Sequence, residues 1–194
     1  GDYLLEVRAG TPSGWWGASS RVSFQRRRQA PAAPVNVTLA SACTVPVGTS
    51  IQTSVTAAAE GATLTLCTGT HLLAQAVTPK SGQILQGQPG TIVSGNDVAV
   101  HAFTGAGSNV TLQDLIVERF NNPDQTGAIG GESGTLGTGW ILRRVEVRQN
   151  SGVGIRIGPG MQVLQSWTHH NRQLGIGGVG DDVLIDGLES SYNN

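Results

Sequence analysis

The chain has 194 residues, a formal net charge of −1 and only 13% charged side chains. That length holds one large domain, or one domain with a fragment beside it. The near-neutral balance gives no electrostatic reason for a nucleic-acid or anionic-membrane partner, and no apolar run approaches the ~20 residues that cross a bilayer. Glycine, at 28 positions, is about twice as frequent as the usual ~7%, which suits a chain with many turns.

Residues 3–9 (YLLEVRA) and 21–24 (RVSF) alternate apolar and polar side chains on either side of the loop 11–17 (TPSGWWG), the pattern of a β-hairpin. This stretch resembles the last two strands of a fibronectin type III domain, in which an aromatic-glycine loop precedes the final strand. Residues 1–25 therefore read as the remnant of a β-sandwich domain. Trp15 and Trp16 suit either stacking on a sugar or capping the hairpin. Residues 26–41 begin RRRQAPAAP and read as an extended linker. Its three arginines are either a solvated run or a phosphate or protease site. Asn36-Val37-Thr38 and Asn109-Val110-Thr111 match the N-glycosylation acceptor pattern.

Cys43 and Cys67 lie 24 positions apart. A disulfide between them would contribute about 3 kcal/mol in the chain-entropy model; the alternative is two buried free thiols. A lone cysteine pair at this spacing makes no metal site. A disulfide points to an oxidising compartment, and the chain opens inside a strand pattern with neither methionine nor signal peptide. The expectation is a piece of a longer extracellular or cell-surface protein.

Residues 49–61 (TSIQTSVTAAAEG) carry the strongest helical pattern. Thr49 or Ser50 caps the start, Ile51, Val55, Ala58 and Ala59 form the apolar stripe, and Gly61 ends it. A strand at 63–66 and a turn at 68–70 follow. Together, Ile51-Gln52, Val55, Ala58-Ala59, Gly61, Thr63-Leu64, Gly69 and His71 resemble the entry segment of the pectate-lyase-like right-handed β-helix superfamily. The resemblance implies that the helix caps the open end of a solenoid, and it extends over residues 42–194. Ala62 and Thr68 stand where the family often has aspartate and proline. Residues 79–87 and 88–95 read as the later strands of the first coil, and Val98 and Val100 as the start of another strand. Residues 120–138 read as a glycine-rich insertion of the kind that shapes a binding groove.

The rest of the chain repeats itself. Residues 142–150 (LRRVEVRQN), 163–171 (VLQSWTHHN) and 185–193 (IDGLESSYN) recur at intervals of 21 and 22 positions, and an earlier copy, 112–120 (LQDLIVERF), precedes them by 30. Gly154-Ile155, Gly175-Ile176 and, in the copy with the insertion, Gly127-Ala128-Ile129 continue the pattern. A period near 22 is too short for paired helices and leaves room only for short strands and turns. The fold class expected is all-β: a right-handed parallel β-helix with a short N-terminal capping α-helix, preceded by a β-hairpin. The hand follows from the preference of parallel crossovers. Alternation puts Leu115, Val145, Ser166 and Leu188 in one inward file and Val117, Val147, Thr168 and Ser190 in another. Asn150, Asn171 and Asn193 form a structural amide ladder at a turn.

Outward slots then align Ile116, Glu146, Trp167 and Glu189, with Glu118, Arg148, His169 and Ser191 beside them and Arg119, Gln149, His170 and Tyr192 next. The superfamily resemblance implies a polysaccharide or surface glycan lying along such a face; the charge balance and the short apolar runs lead to the expectation of no nucleic-acid partner and no membrane insertion. The expected substrate-binding residues are Trp167, Tyr192, Glu118 and Arg119; the expected catalytic residues are Glu146, Glu189, Arg148, His169 and His170. Two carboxylates can run glycoside hydrolysis, and a histidine can act as general base. Adjacent histidines on a strand face opposite ways unless a turn has begun. The alternative is that all of these are ordinary exposed polar residues, on a spacer or adhesin stalk. No cofactor is expected. Asp181, Asp182 and Asp186 offer oxygen ligands for calcium but lack a recognised loop spacing, and Asp181-Asp182 reads as a turn. Paired aspartates followed by Gly-His-Gly, and an Arg-x-Lys, are both missing, which weighs against a polygalacturonase type.

Overall fold

The structure, a computed structural model, describes residues 3–7, 20–24, 42–132 and 134–194. The linker 26–41, Trp15, Trp16 and the Asn36 acceptor lie outside the described residues. The chain divides into two units, residues 1–39 and 40–194. In the first, β1 (Tyr3–Val7) and β2 (Ser20–Phe24) pair antiparallel, Tyr3 opposite Phe24 and Val7 opposite Ser20.

The second unit is a parallel solenoid of six rungs behind one short helix, α1 (Ile51–Ala57). Its first sheet stacks β3 (Thr63–Leu66), β5 (Ile84–Gly87), β7 (Thr111–Gln113), β10 (Ile141–Arg143), β13 (Gln162–Leu164) and β16 (Leu184–Asp186). The second stacks β4 (Gly69–Leu72), β6 (Thr91–Ser94), β8 (Ile116–Glu118), β11 (Glu146–Arg148), β14 (Trp167–His169) and β17 (Glu189–Ser191). The third holds β9 (Gly127–Ile129), β12 (Val153–Ile157) and β15 (Ile176–Gly178), and single bridges through Val77 and Phe103 extend it.

Each nine-residue copy is two strands, not one. Asp114, Arg144, Gln165 and Gly187 sit at positive φ (58°, 52°, 49° and 66°) and turn the chain between the first and second sheets. Leu142 and Val145, three apart, both face inward because this corner intervenes. Arg119, Gln149, His170 and Tyr192 (φ 57°, 55°, 54° and 52°) form the next corner. A left-handed residue costs roughly 1–2 kcal/mol outside glycine, so these corners persist because the stacked strands on both sides hold them.

The interior is built of files. Leu64, Leu85, Leu112, Leu142 and Val163 register one above another on the first sheet and are buried. Leu115, Val145 and Ser166 form the second file, and Val117, Val147 and Thr168 the third; all six are buried, and Val117, Val147, Thr168 and Ser190 are in register as expected. Val77, Phe103, Ile129, Ile155 and Ile176 fill the third wall. The 30-residue copy is accommodated in two loops. The offset between rungs falls from 30 (Ile116 to Glu146) to 26 (Gly127 to Val153) and then 21 (Ile141 to Gln162).

At the other end α1 lays Ile51 and Val55 on the first rung, both buried. Each such side chain contributes roughly 1.5–3 kcal/mol. Ser50 is the N-cap, accepting from Thr53 N at 3.2 Å. The helix ends earlier than its apolar stripe suggests: Ala58 is already extended, and Gly61 belongs to the following turn. Lys80 Nζ donates to Thr56 O and Ala58 O at 2.7 Å each, closing the last turn from outside the helix. Cys43 and Cys67 are joined by a disulfide beside this cap.

Three further expectations are corrected. Residues 84–87 and 91–94 belong to the second rung, because β3, β4 and Val77 already complete the first. The expected turn at 68–70 is shorter, since Gly69 opens β4. Val98 and Val100 start no strand. Left-handed Asn96 and Asp97 place them in a turn, where they are 72% and 43% exposed.

Candidate functional site

The outward slots of the second sheet obey the same register as the inward ones. Ile116, Glu146, Trp167 and Glu189 stand in one column, and Glu118, Arg148, His169 and Ser191 in the next. The strands need only three residues each for this, since the two corners fix where each starts and stops.

Arg148 is the hub. Its Nε donates to Glu118 Oε2 at 2.8 Å and its Nη1 to Glu146 Oε1 at 2.6 Å. Burial alone would lower the Arg148 pKa; the hydrogen bonds and charges of Glu118 and Glu146 outweigh it, and the net direction is up. Glu146 Oε1 also faces His169 Nε2 at 3.1 Å. Glu118, Arg148, Glu146 and His169 are therefore one connected chain across three rungs.

His170 joins it because the corner has begun. At φ 54° it no longer alternates with its neighbour, and its Nδ1 lies 2.7 Å from His169 Nδ1. The His169 ring is stacked on Trp167 at 3.8 Å between centroids, and the His170 ring on Tyr192 at 5.3 Å. His169 is buried by these neighbours, while Trp167 is 38% and Tyr192 79% exposed.

Two expected residues stand apart. Arg119 turns to Asp97, donating from Nε at 3.0 Å; that hydrogen bond, with the aspartate's charge, raises the Arg119 pKa. Asp97 was missed, although its 22-residue spacing from Arg119 is the solenoid period. Glu189 is exposed, and among the described residues its carboxylate has one side-chain hydrogen-bond partner, Ser191 Oγ at 3.5 Å. Trp167 stands between it and Glu146 in the column, and Glu146 is held by Arg148 and His169. Ser191, also missed as a site residue, accepts from Trp167 Nε1 at 3.1 Å and fixes the indole.

The Asn150–Asn171–Asn193 ladder lies inside the same corner. Asn150 Nδ2 donates to Asn171 Oδ1 at 2.8 Å, and Asn171 Nδ2 to Asn193 Oδ1 at 2.9 Å. Each of these oxygens also accepts the backbone N–H one rung earlier, and Asn150 Oδ1 takes Phe120 N. The ladder thus anchors the corner that carries Arg119, Gln149, His170 and Tyr192.

Comparison of the chain with family models, with curated proteins and with solved structures finds no match.

Asp181 and Asp182 make a turn, with Asp182 at φ 55°, and Asp186 ends β16. Among the described residues no three His, Cys, Asp or Glu side chains lie close enough to hold a metal ion, and no helix is long and apolar enough to cross a membrane. A cavity of about 430 Å³ near the cap, between α1 and β4, is lined by groups such as Gln52, Leu72 and Gln75 and holds no titratable side chain. The connected cluster of titratable side chains lies on the open sheet face instead.

Proposed function

We propose that the outer face of the second sheet binds polysaccharide, with sugar rings stacking on Trp167 and Tyr192. The observation that carries this reading is the placement of two exposed aromatic rings on neighbouring rungs, each backed by a histidine ring, beside a fixed array of polar side chains. An aromatic ring held by its neighbours offers contact area at little entropic cost. The extracellular or cell-surface setting belongs to the same proposal and is supported by the disulfide. So does membership of the pectate-lyase-like β-helix superfamily, supported by the entry segment 51–71 and the parallel rungs.

Trp167→Ala and Tyr192→Ala should each weaken glycan binding about tenfold or more, the loss typical of a central aromatic anchor. A glycan array followed by calorimetry on the wild type and both variants measures it. Binding by neither wild type nor variants would leave a spacer or stalk as the function.

A second reading, in which the face also changes a bond, is favoured by the Glu146–His169–His170 chain, since a carboxylate-oriented imidazole is a general base. Incubation with the bound glycan should then release reducing ends, and His170→Ala should abolish them while binding survives.

A further inference from the structure

We infer that the glycan taken by this face offers hydrogen-bond donors and carries no anionic group: an uncharged or amino-bearing polysaccharide, not a polyuronate or a sulfated chain. The inference rests on the glycan-binding reading above.

Charge comes first. Four carboxylates, Asp97, Glu118, Glu146 and Glu189, border the face against two guanidiniums, Arg119 and Arg148, a balance of −2 with the imidazoles neutral. Both guanidiniums are already engaged: Arg148 by two carboxylates and Arg119 by Asp97. Among the described residues, a ligand carboxylate would find no unmatched cation in these two columns, and would meet Glu189, which pairs with no described cation. Like charges brought together at an interface are the usual means of rejecting a wrong partner.

Hydrogen-bond polarity points the same way. Glu146 is an acceptor, so His169 Nε2 carries the hydrogen of their 3.1 Å contact. In the neutral ring His169 Nδ1 is then a lone pair, and the 2.7 Å contact requires His170 to donate from its own Nδ1. With His170 also neutral, its Nε2 is an unprotonated nitrogen on an exposed side chain. Trp167 Nε1 is likewise engaged, on Ser191. Three ring N–H groups are thus used internally, and what the rings leave toward a ligand is the His170 nitrogen, an acceptor, beside the exposed Glu189 carboxylate, also an acceptor. Sugar hydroxyls and ammonium groups are the complementary donors. Tyr192 supplies a stacking surface and a hydroxyl that serves either way.

The test is calorimetry at low ionic strength with hexasaccharides of equal length: a neutral series (gluco-, xylo- and manno-), a glucosamine oligomer, and galacturonate and guluronate oligomers with and without calcium. The neutral or the glucosamine arm should bind at least about tenfold tighter than either uronate. Salt should weaken the glucosamine arm, because its attraction is coulombic and exposed. Glu189→Lys, on an exposed side chain outside the core, replaces an acceptor by a cation; it should tighten uronate binding about fivefold or more and weaken the glucosamine arm, so that the preference over uronate narrows or reverses. Nitrogen-15 spectra should show His170 Nε2 unprotonated and shifting on addition of the ligand. Uronate binding as tight as neutral binding, with or without calcium, overturns the inference while leaving glycan binding intact. Binding of no glycan at all overturns the reading beneath it.

Discussion

Thr168 occupies an inward slot between Val147 and Ser190 and is fully buried, yet its hydroxyl has no hydrogen-bond partner among the described residues. A Cβ placed at Gly175 would lie 2.3 Å from that oxygen, so a glycine is what leaves room for it. Valine has the same shape without the unmet polar atom. A buried hydroxyl without a partner costs about 1–3 kcal/mol, so Thr168→Val should raise stability by about 1 kcal/mol, read as a higher urea midpoint at unchanged slope. An unchanged or lower midpoint would mean that the hydroxyl has a partner in solution. Alternation in the sequence identifies Thr168 as inward, because its copies at Val117 and Val147 are apolar. Nothing in the pattern shows that its oxygen goes unmet, which depends on a glycine seven residues away. The paired histidines are the opposite case. Their spacing leaves both orientations open, and only the corner at His170 decides between them.

At the scale of elements, α1 is seven residues long, too short to be stable alone, and its apolar face covers only part of what holds it. Lys80 Nζ donates to Thr56 O and Ala58 O, and Gln83 Nε2 to Val55 O and Ala59 O, so four carbonyls at its C-terminal end are held from the second rung's entry. This gives a reason for the one lysine among twelve basic residues. A compact ammonium can serve two converging carbonyls, whereas a planar guanidinium presents its donors as a fork. Lys80→Met keeps the stem and removes both bonds and the charge; it should cost about 1 kcal/mol and raise the rate at which a protease cuts within 49–62. An unchanged cleavage rate would show that the disulfide and the two buried side chains suffice. The helix was legible from Ser50, Ile51 and Val55. Its end was not, since the alanines 57–59 read equally well as helix and as extended exit. The corners within each copy were hidden for a similar reason. Aspartate, two different long side chains and glycine share one φ, so no residue type marks the position.

Along the solenoid each strand pairs only with the rungs on either side, and stability in such a stack is close to a sum of local and nearest-neighbour contributions; Gln125 N–H, donating to Gln173 Oε1 at 2.8 Å, is a contact that skips a rung. The interior changes along the axis: after buried His71 and Thr91 on the first two rungs, leucines and valines fill the inward files of β8 and β11, whereas Ser166 and Thr168 enter on the next rung and the asparagine ladder runs beside them. That polar segment carries the face proposed to bind glycan, so its anchoring is set by hydrogen bonds more than by apolar burial. Asn171 is the central link: it accepts from Asn150 and donates to Val147 O and Asn193. Asn171→Ala leaves several buried groups without partners and should cost about 2–4 kcal/mol locally. Native-state hydrogen exchange separates local from global effects. Amides of β11, β14 and β17 should exchange about a hundredfold faster or more, and those of α1, β3 and β5 within about twofold of wild type. Equal acceleration at both ends would show that the rungs open as one cooperative body. Confinement to the polar segment would instead mean that the face carrying Trp167 and Tyr192 can be loosened while the capped end stays closed, so that glycan affinity and cap stability answer to different residues.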